Sequence, residues 1–282
     1  MADFSRVRAV VGEPDPQARE IVRSTLFGLG FREITDTPSL AKVHQTVRRT
    51  AADLLIFNAN MDGDDTAFVT TGIRSGKLGD DPFPVIIVLI TSLDAARLRA
   101  IIDSGADDAL ILPFAADALC KKVADLSGAR KPFVVTCDYI GPERRSGPRP
   151  GSQSGNLVEI PNPLAFRAIG ADDAYAAARD LARANVYRER TIRLAVQIEW
   201  LAKAIYDAAS KDEDLFPFLR RIEDFGKELM HQNGNLERAE MITRLLSEVK
   251  TIRSSANIIT VDALERLRAL AAAIAVQVPS ST

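Results

Sequence analysis

Asn58 is the residue of this sequence whose surroundings most clearly suggest a site for chemistry. It ends the apolar run Leu54 to Phe57 and is followed by polar residues and Gly63. An apolar run that stops this abruptly is typical of a central parallel strand at its carboxyl end. Ligands of an open α/β sheet bind at that edge, so we expect Asn58 to occupy the active position.

Carboxylates in two loops could supply oxygen ligands for a cation. Asp15 follows the first apolar run, and Asp62, Asp64 and Asp65 follow Asn58. Hard divalent cations take such oxygen ligands, so a cation site in this region is one alternative. Acidic loop residues are more often only solvated, and we therefore predict that the protein holds no metal ion and no cofactor.

Alternating apolar runs and glycine or proline breaks predict a series of strands and helices over the first 130 residues. The run from Pro84 to Ile90 is the clearest buried strand, and it ends in the hydroxyl pair Thr91 and Ser92. Helices are predicted between the strands from their apolar spacing and from closing glycines such as Gly30 and Gly105. The predicted strands lie at residues 8–11, 31–34, 54–57, 84–92 and 109–112.

A resemblance to a known family rests on five segments in the right order and spacing, and three of them carry its most specific motifs. The stretch Ala52 to Gly63 resembles the third strand of bacterial response-regulator receiver domains, whose pattern is Pro-Asp-Leu, three apolar residues, then Asp-x-x-Met-Pro-Gly. Asp15 to Arg19 resembles their Asp-Pro-x-x-Arg loop, and Gly105 to Phe114 resembles their Gly-Ala-Asp-Asp-Tyr, two apolar residues, Lys-Pro-Phe. The resemblance covers roughly residues 6 to 128 and implies a flavodoxin-like, doubly wound, five-stranded parallel sheet.

The resemblance also implies which residues would form a phosphorylation site, and most of them are changed. Asn58 stands at the position of the phosphoacceptor aspartate, and an amide cannot form an acyl phosphate. Glu13 and Pro14 stand at the acidic pair that holds Mg²⁺; an alignment shifted by one residue pairs Gly12 with Glu13 and loses the same carboxylate. The two losses should weaken Mg²⁺ binding strongly and leave Glu13 and Asp15 as a degenerate acidic pocket.

Four further positions concern the phosphoryl group and its switch. Leu112 stands at the lysine that pairs with the phosphoryl group and Ala109 at the aromatic switch residue, whereas Thr91 keeps a hydroxyl. The bond before Pro113 is usually cis in the family. Leucine supplies no positive charge, and several residues that serve one reaction are lost together. We therefore interpret residues 1–130 as a pseudo-receiver without phosphoryl chemistry.

Residues 131–171 are predicted to form a linker rich in proline, glycine and arginine, with little helix or sheet. Arg144, Arg145 and Arg149 could bind an anion, since Arg145-x-x-x-Arg149 has the spacing of a PilZ-type arginine motif for cyclic dinucleotides. The barrel that should follow that motif is missing. Arginines that only keep the linker solvated are therefore the other alternative.

From residue 172 to 282 the apolar period is helical, which predicts an all-α helical bundle. We expect one long helix at about 174–209 with a break near Asn185, and three more at about 212–231, 235–255 and 261–277. Lys250 to Ile258 weakly resembles the helix of histidine phosphotransfer domains, with Lys250 at the phosphorylated histidine, but a generic bundle helix explains the same residues. The long helix has more apolar residues, Trp200 among them, than one buried stripe needs, so a homodimer is a further alternative.

The bulk composition excludes several classes of protein. The sequence has 282 residues, enough for two domains, and its net charge of −2 gives no general attraction to nucleic acid or to anionic membranes. Cys120 and Cys137 have no metal-ligand spacing and are expected to be reduced thiols. Because the sequence shows neither a signal peptide nor an apolar run of membrane-spanning length, we expect a cytoplasmic protein.

These observations favour an interaction protein of a bacterial two-component system over an enzyme. The resemblance implies a histidine kinase, a phosphotransfer protein or another response regulator as partner. The alternative is a receiver-linked regulator that binds nucleic acid or responds to a cyclic dinucleotide, but the helical part shows no basic recognition helix. We find no nucleophile or metal site with catalytic spacing and therefore predict no enzymatic activity.

Overall fold

The structure is a computed structural model that describes residues 2–91, 95–144, 157–211, 213–231, 236–254 and 260–278. Its chain divides into two compact units, which are described separately. The first comprises Met1–Val134 and Tyr139–Ala184, and the second comprises Val135–Asp138 and Asn185–Thr282.

A parallel sheet of five strands forms the centre of the first unit. In chain order the strands of this unit are β1 (Arg8–Gly12), β2 (Glu33–Thr37), β3 (Leu54–Asn58), the short pair β4 (Asn60–Met61) and β5 (Asp64–Asp65), β6 (Val85–Ile90) and β7 (Asp108–Ile111). The main sheet has the order β2–β1–β3–β6–β7, and all its neighbours are parallel. This order confirms the predicted flavodoxin-like, doubly wound fold.

Five helices cover the two faces of this sheet. They are α1 (Pro16–Gly28), α2 (Leu40–Arg49), α3 (Ala67–Arg74), α4 (Ala95–Ser104) and α5 (Ala116–Gly128). Leu54 and Ile56 of β3 belong to the apolar cluster of α1 and α5, whereas Leu55 and Phe57 belong to that of α2, α3 and α4. Successive strand residues point to opposite faces, so β3 is buried on both sides, as its uninterrupted apolar run predicts.

The second strand begins later than the sequence predicts. It occupies Glu33–Thr37 rather than residues 31–34. Phe31 lies before the strand and is fully buried, stacked on Phe4 with their ring centroids 4.9 Å apart. Its apolar side chain therefore marks the core and not the strand.

A hairpin directly follows β3. Its strands β4 and β5 pair antiparallel, with Met61 opposite Asp64 and with Asp62 and Gly63 as the turn. Both turn residues have positive φ, 56° and 86°. The sequence analysis predicts only an acidic loop here; the difference arises because an Asp-Gly pair suits the tight two-residue turn of a hairpin.

The stretch 131–171 is not the linker that its composition predicts. Its described part forms the short strands β8 (Phe133–Val135), β9 (Ile140–Pro142) and β10 (Leu157–Val158), which pair in the order β10–β8–β9, and the helix α6 (Pro163–Ala168). The prediction is wrong because a few apolar side chains, among them Phe133 and Leu164, are fully buried. Average composition does not reveal such anchors.

Three buried charged residues, Arg74, Asp107 and Arg130, join the start of this stretch to the main sheet. Asp107 Oδ2 accepts hydrogen bonds from Arg74 Nη2 at 2.7 Å and from the Ile86 N–H at 2.8 Å. Asp107 Oδ1 accepts from Arg130 Nε at 3.1 Å. Both guanidinium groups lie against the ring of Phe133, 4.9 and 5.3 Å from its centroid. Paired charges and cation–π contacts thus hold β8 beside the sheet.

Two glycines allow β9 to approach the loop before β7 closely. Gly105 has a φ of +93°, and a Cβ atom there would lie 2.3 Å from the carbonyl oxygen of Ile140. A Cβ atom on Gly141 would lie 2.6 Å from the Cα atom of Gly105. Residues without a side chain are therefore needed on both sides of this contact.

We expect Gly105→Ala to lower the free energy of unfolding of the first unit by about 2 to 3 kcal/mol, because alanine disfavours the positive φ and its Cβ would displace a backbone carbonyl. Gly128→Ala at the end of α5 is the matched control, since a Cβ atom there would meet nothing within 4 Å. Chemical denaturation followed by circular dichroism measures both variants. Equal stability of the two variants would contradict the importance of the close contact.

The second unit is helical, as the sequence predicts. One apolar core joins the later part of α7 (Asp172–Ala209) to α8 (Phe216–His231), α9 (Leu236–Ser254) and α10 (Val261–Val276). Helix α7 is continuous, so the break expected near Asn185 is wrong; the division between the units falls there instead. Trp200 is 57% exposed and lies outside the stripe that α7 buries. Among the described residues, no helix is both long and apolar enough to span a bilayer.

The segment Val135–Asp138 belongs to the second unit, although the residues on both sides of it belong to the first. Arg190 Nη1 donates a hydrogen bond to the carbonyl oxygen of Thr136 at 2.9 Å. Cys137 Sγ donates to the carbonyl oxygen of Arg193 at 3.2 Å. These bonds tie the segment to α7, so the chain enters the second unit, returns to the first, and enters the second again within that helix.

Candidate functional site

The carboxyl ends of β1 and β3 bring Glu13 and Asn58 together. Glu13 follows β1, Asn58 is the last residue of β3, and the two strands pair side by side. Asn58 Nδ2 donates a hydrogen bond to Glu13 Oε2 at 2.9 Å. Both residues are buried, with 1% and 5% of their surface exposed. Asn58 thus lies at the edge of the sheet where the sequence predicts it, and its partner is an acid from the first loop.

Hydrogen-bond donors surround the carboxyl group of Glu13. Its Oε1 accepts the Asp15 N–H at 3.0 Å, and its Oε2 accepts the Asn58 amide. Arg19 Nη1 donates at 2.6 Å to the backbone carbonyl of Glu13 and not to its carboxyl group. Burying a carboxyl group is costly unless such donors satisfy it, so the bond from Asn58 stabilises this edge.

The other polar atoms of Asn58 are also in use. Its Oδ1 accepts the Asn60 N–H at 3.0 Å, and its backbone carbonyl accepts the hydroxyl of Thr66 at 2.8 Å. Thr66 is fully buried at the start of α3. These bonds fix the orientation of the amide, with its nitrogen toward Glu13 and its oxygen toward the hairpin.

Two acidic residues that could belong to a cation site instead accept hydrogen bonds from backbone N–H groups at the amino termini of helices. Asp15 precedes α1, and its Oδ1 accepts the Ala18 N–H at 2.7 Å. Asp62 Oδ2 accepts the Leu40 N–H at 2.8 Å at the first turn of α2. A helix leaves its first N–H groups without partners, and side-chain oxygens commonly satisfy them. Sequence reasoning missed this role of Asp62, because its partner lies 22 residues earlier in the chain.

The acidic pair that the resemblance assigns to Mg²⁺ does not fit that ion. Mg²⁺ requires near-octahedral oxygen ligands, usually carboxylates together with water. Here the Asn58 amide donates a hydrogen bond to the Glu13 carboxylate, and Pro14 has no side-chain oxygen. The Asp15 carboxylate accepts the Ala18 N–H at the start of α1. Within the described residues, which exclude the side chains of Asp64 and Asp65, no three His, Cys, Asp or Glu residues are grouped to hold a metal.

The remaining positions of the predicted site lie in or after β6 and β7. Thr91 follows β6 and is exposed to solvent. Leu112 follows β7 and packs, half-buried, against the cluster of α1 and α5, and its peptide bond to Pro113 is cis, as the resemblance implies. Ala109 is half-buried in β7 and borders a cavity beside α4. Together these positions offer one hydroxyl and no charge.

The weaker candidates do not belong to this edge. Lys250 is exposed on α9 and lines a groove of about 410 Å³ between α8 and α9. Arg144 follows β9, and its Nη2 donates a hydrogen bond to the carbonyl oxygen of Ala106. Arg145 and Arg149 lie outside the described residues, so the proposed arginine motif has no geometry to compare.

The cysteines are free thiols in this structure. Burial raises the pKa of Cys137 to about 11, and the neighbouring carboxylate of Asp138 adds to the shift. A thiol with so high a pKa carries little thiolate at neutral pH, and the thiolate is the nucleophile. Cys137 is therefore not a candidate for nucleophilic catalysis.

No protein-family model matches the sequence, and neither does any curated protein. Solved structures that resemble it include response-regulator receiver domains. The domain from Bermanella marisrubri is 23% identical over 42% of this chain and 95% of its own, with a TM-score of 0.38. The receiver domain of a Pseudomonas aeruginosa sensor histidine kinase, with magnesium in its active-site cleft, is 20% identical over 41% and 93%, with a TM-score of 0.37. Chemotaxis protein CheY4 of Vibrio cholerae is 18% identical over 42% and 97%, with a TM-score of 0.38.

Likenesses of this size carry no argument about chemistry. The class of the first unit rests on its own strand order, which defines a doubly wound α/β sheet with a binding edge at the ends of β1 and β3. What occurs at that edge must be inferred from the side chains that lie there.

Proposed function

We propose that this protein is a receiver-like component of a two-component signalling system that accepts no phosphoryl group and acts by binding other signalling proteins. The hydrogen bond from Asn58 to Glu13 carries the proposal. A phosphorylated receiver needs a carboxylate that attacks and a metal ion that bridges it to a neighbouring acid. Here a neutral amide donates directly to that acid, so the pair is satisfied without a metal ion.

The environment of Leu112 supports the same proposal. A bound phosphoryl group requires positive charge nearby, and lysine or arginine normally supplies it. Leu112 instead packs against the apolar cluster of α1 and α5. The loss of the attacking carboxylate and the loss of the cation concern the same reaction, which favours a protein that no longer uses it. We propose accordingly that it has no enzymatic activity.

The partners we propose are a histidine kinase, a phosphotransfer protein or another response regulator. They would bind α1 together with the loops around Asn58 and Pro113. Helix α1 exposes two large apolar side chains, Ile21 at 46% and Phe27 at 59%. Exposed aromatic side chains are enriched in protein interfaces, which supports this face as the contact.

Treatment of the full-length protein with acetyl phosphate and Mg²⁺ should leave the wild type unmodified, because an amide cannot form an acyl phosphate. Asn58→Asp combined with Leu112→Lys returns two of the missing groups, the attacking carboxylate and the positive charge, and should acquire a phosphoryl group under the same conditions. Intact-mass spectrometry measures the modification. Beryllofluoride, followed by amide NMR, gives a second and non-covalent measurement.

The matched control combines Asn60→Asp with Leu112→Lys, since Asn60 is an exposed asparagine two residues beyond Asn58. This variant should remain unmodified. A phosphorylated wild type, or one whose NMR spectrum changes with beryllofluoride, would overturn the proposal. The full chain is used because Arg130 and Phe133 belong to the buried contacts of the first unit, and a fragment that ends at residue 130 would break them.

A further inference from the structure

A cavity of about 260 Å³ lies between β7, the edge strand of the sheet, and α4. Of the residues that the structure describes, Asp108 and Arg144 are the charged ones that line it. The cavity does not include Glu13 or Asn58, so it is separate from the carboxyl-edge pair. Its walls are otherwise mostly aliphatic and include Ile90, Leu98, Ile101, Ile102, Ala109 and Ile111.

Ala109 contributes only a small side chain to the wall of this cavity. Leu110 joins the cluster of α1 and α5, so its neighbours Ala109 and Ile111 face the opposite side of the sheet, toward α4. The cavity opens to solvent beside Ile111, which is 45% exposed, so an apolar group bound there would remove apolar surface from water. An apolar ligand therefore suits this space better than water does.

The segment that follows Arg144 has little apolar side chain to offer this cavity. Residues 145–156 follow Arg144 directly in sequence, and apart from two prolines they contain no aliphatic or aromatic side chain. Glycine, serine and arginine make up most of the segment. The occupant must therefore come from outside this segment.

Arg144 adds a positive charge at the cavity. It follows β9, whose close approach to Gly105 fixes the chain there, and it donates to the carbonyl oxygen of Ala106. A guanidinium group has five N–H donors and can hold a carboxylate with two of them. Asp108 does not neutralise it, because its Oδ2 is paired with Lys122 at 2.6 Å. The cavity thus combines an apolar interior with a cation at its border.

We infer that this cavity binds a small apolar molecule that carries one carboxylate, with the hydrocarbon part between β7 and α4 and the carboxylate on Arg144. Pockets for drug-sized ligands have about 300 to 1,000 Å³, so this smaller one suits a medium-chain fatty acid or an aromatic acid. Binding here goes beyond the proposed function, since it gives the first unit a ligand site that does not depend on phosphoryl chemistry.

Octanoate is the probe for this site, and octanol is its neutral counterpart. Isothermal titration calorimetry with the full-length protein should show octanoate binding at least about tenfold tighter than octanol, because the alcohol lacks the charge-assisted bond to Arg144. Arg144→Ala should weaken octanoate binding about tenfold and leave octanol unchanged. Ala109→Phe should abolish binding of both, since the ring fills the cavity.

Arg99→Ala is the matched control, because Arg99 is an exposed arginine of α4 that does not line the cavity. It should bind octanoate like the wild type. Arg144→Ala changes an exposed side chain and should not disturb folding. The test therefore remains decisive even if Ala109→Phe fails to fold. The inference is overturned by no octanoate binding at millimolar concentration, by equal binding of octanol, or by octanoate binding that neither substitution changes. None of these results would bear on Asn58, which lies outside the cavity.

Discussion

Replacing Asp107 with asparagine is expected to lower the free energy of unfolding of the first unit by about 3 to 5 kcal/mol. The change removes the carboxylate shared by Arg74 and Arg130, whose side chains are only 1% and 2% exposed. Arg74 also donates to the carbonyl oxygens of Pro82 and Pro84 at 2.8 and 2.9 Å, but carbonyls carry no net charge. Two buried guanidinium groups would then face each other without a counter-charge, which is far more costly than losing a surface pair.

This loss should depend on pH in a defined direction. Burial alone would raise the pKa of Asp107, but the charges of Arg130 and Arg74 outweigh it and hold the pKa below its ordinary value. Burial lowers the pKa of Arg74 to about 10, so that guanidinium is still charged at neutral pH. A carboxyl group with a lowered folded pKa stabilises above its unfolded pKa of about 3.9, and this contribution is lost as the pH falls through the folded pKa. The difference between wild type and variant should therefore be complete at neutral pH and shrink below about pH 4.

Amide hydrogen exchange of β3 and β6 measures this effect, because exchange in central strands follows the opening of the sheet. Asp125→Asn is the matched control, since it makes the same change in an exposed ion pair with Lys121 at 2.6 Å. That control should cost less than about 0.5 kcal/mol. If Asp107→Asn lowered the free energy of unfolding by as little as Asp125→Asn, the buried carboxylate would contribute no more than one in a surface ion pair.

Asn58→Asp as a single change is expected to destabilise the first unit by about 2 to 4 kcal/mol in the absence of Mg²⁺. The substitution replaces the donor that lies 2.9 Å from Glu13 Oε2 with an acceptor oxygen. Two buried carboxyl groups would then meet at hydrogen-bond distance without a donor between them. Like charges at this separation disfavour each other strongly, and burial increases the penalty.

Added Mg²⁺ should recover part of this loss in the variant and leave the wild type unchanged. Two facing carboxylates provide ligands for a hard cation, and a ligand that binds only the folded state raises its stability. Thermal unfolding with and without Mg²⁺ measures both effects. Asn60→Asp serves as the control at an exposed position and should change stability by less than about 0.5 kcal/mol in either condition. A variant at Asn58 that is as stable as the wild type without Mg²⁺ would show that the bond to Glu13 is not needed.

The sequence predicts the main sheet well because each of its central strands carries its own signal. The runs around Leu55 and Ile87 are apolar on both faces and end in polar residues, so local pattern and tertiary burial agree there. The same reasoning fails for the stretch after residue 130. Strands β8 and β9 have three residues each, and their order depends on Arg74, Arg130 and Phe133, whose contacts join distant parts of the chain.

In the candidate site, too, features set by neighbouring residues are predictable from the sequence, whereas contacts between distant residues are not. The position of Asn58 follows from the end of an apolar run, and that is a local signal. Its bond to Glu13 joins residues 45 apart in the sequence, and only the pairing of β1 with β3 brings them together. The cap that Asp62 provides for α2 is likewise a contact between separate elements. Residue types therefore predict which reaction is absent, whereas the hydrogen bonds of Glu13 and Asn58 could be found only from the structure.

The excursion of Val135–Asp138 into the second unit limits how such a protein can evolve by gene rearrangement. The chain changes units between residues 134 and 135, between 138 and 139, and between 184 and 185. Domains arranged one after another can be exchanged by a single recombination event. Here a junction between residues 184 and 185 keeps the first unit whole but separates Val135–Asp138 from the rest of the second unit. We therefore expect an exchange of the helical unit to lose the hydrogen bonds that Thr136 and Cys137 make with α7, unless the new helix provides the same partners.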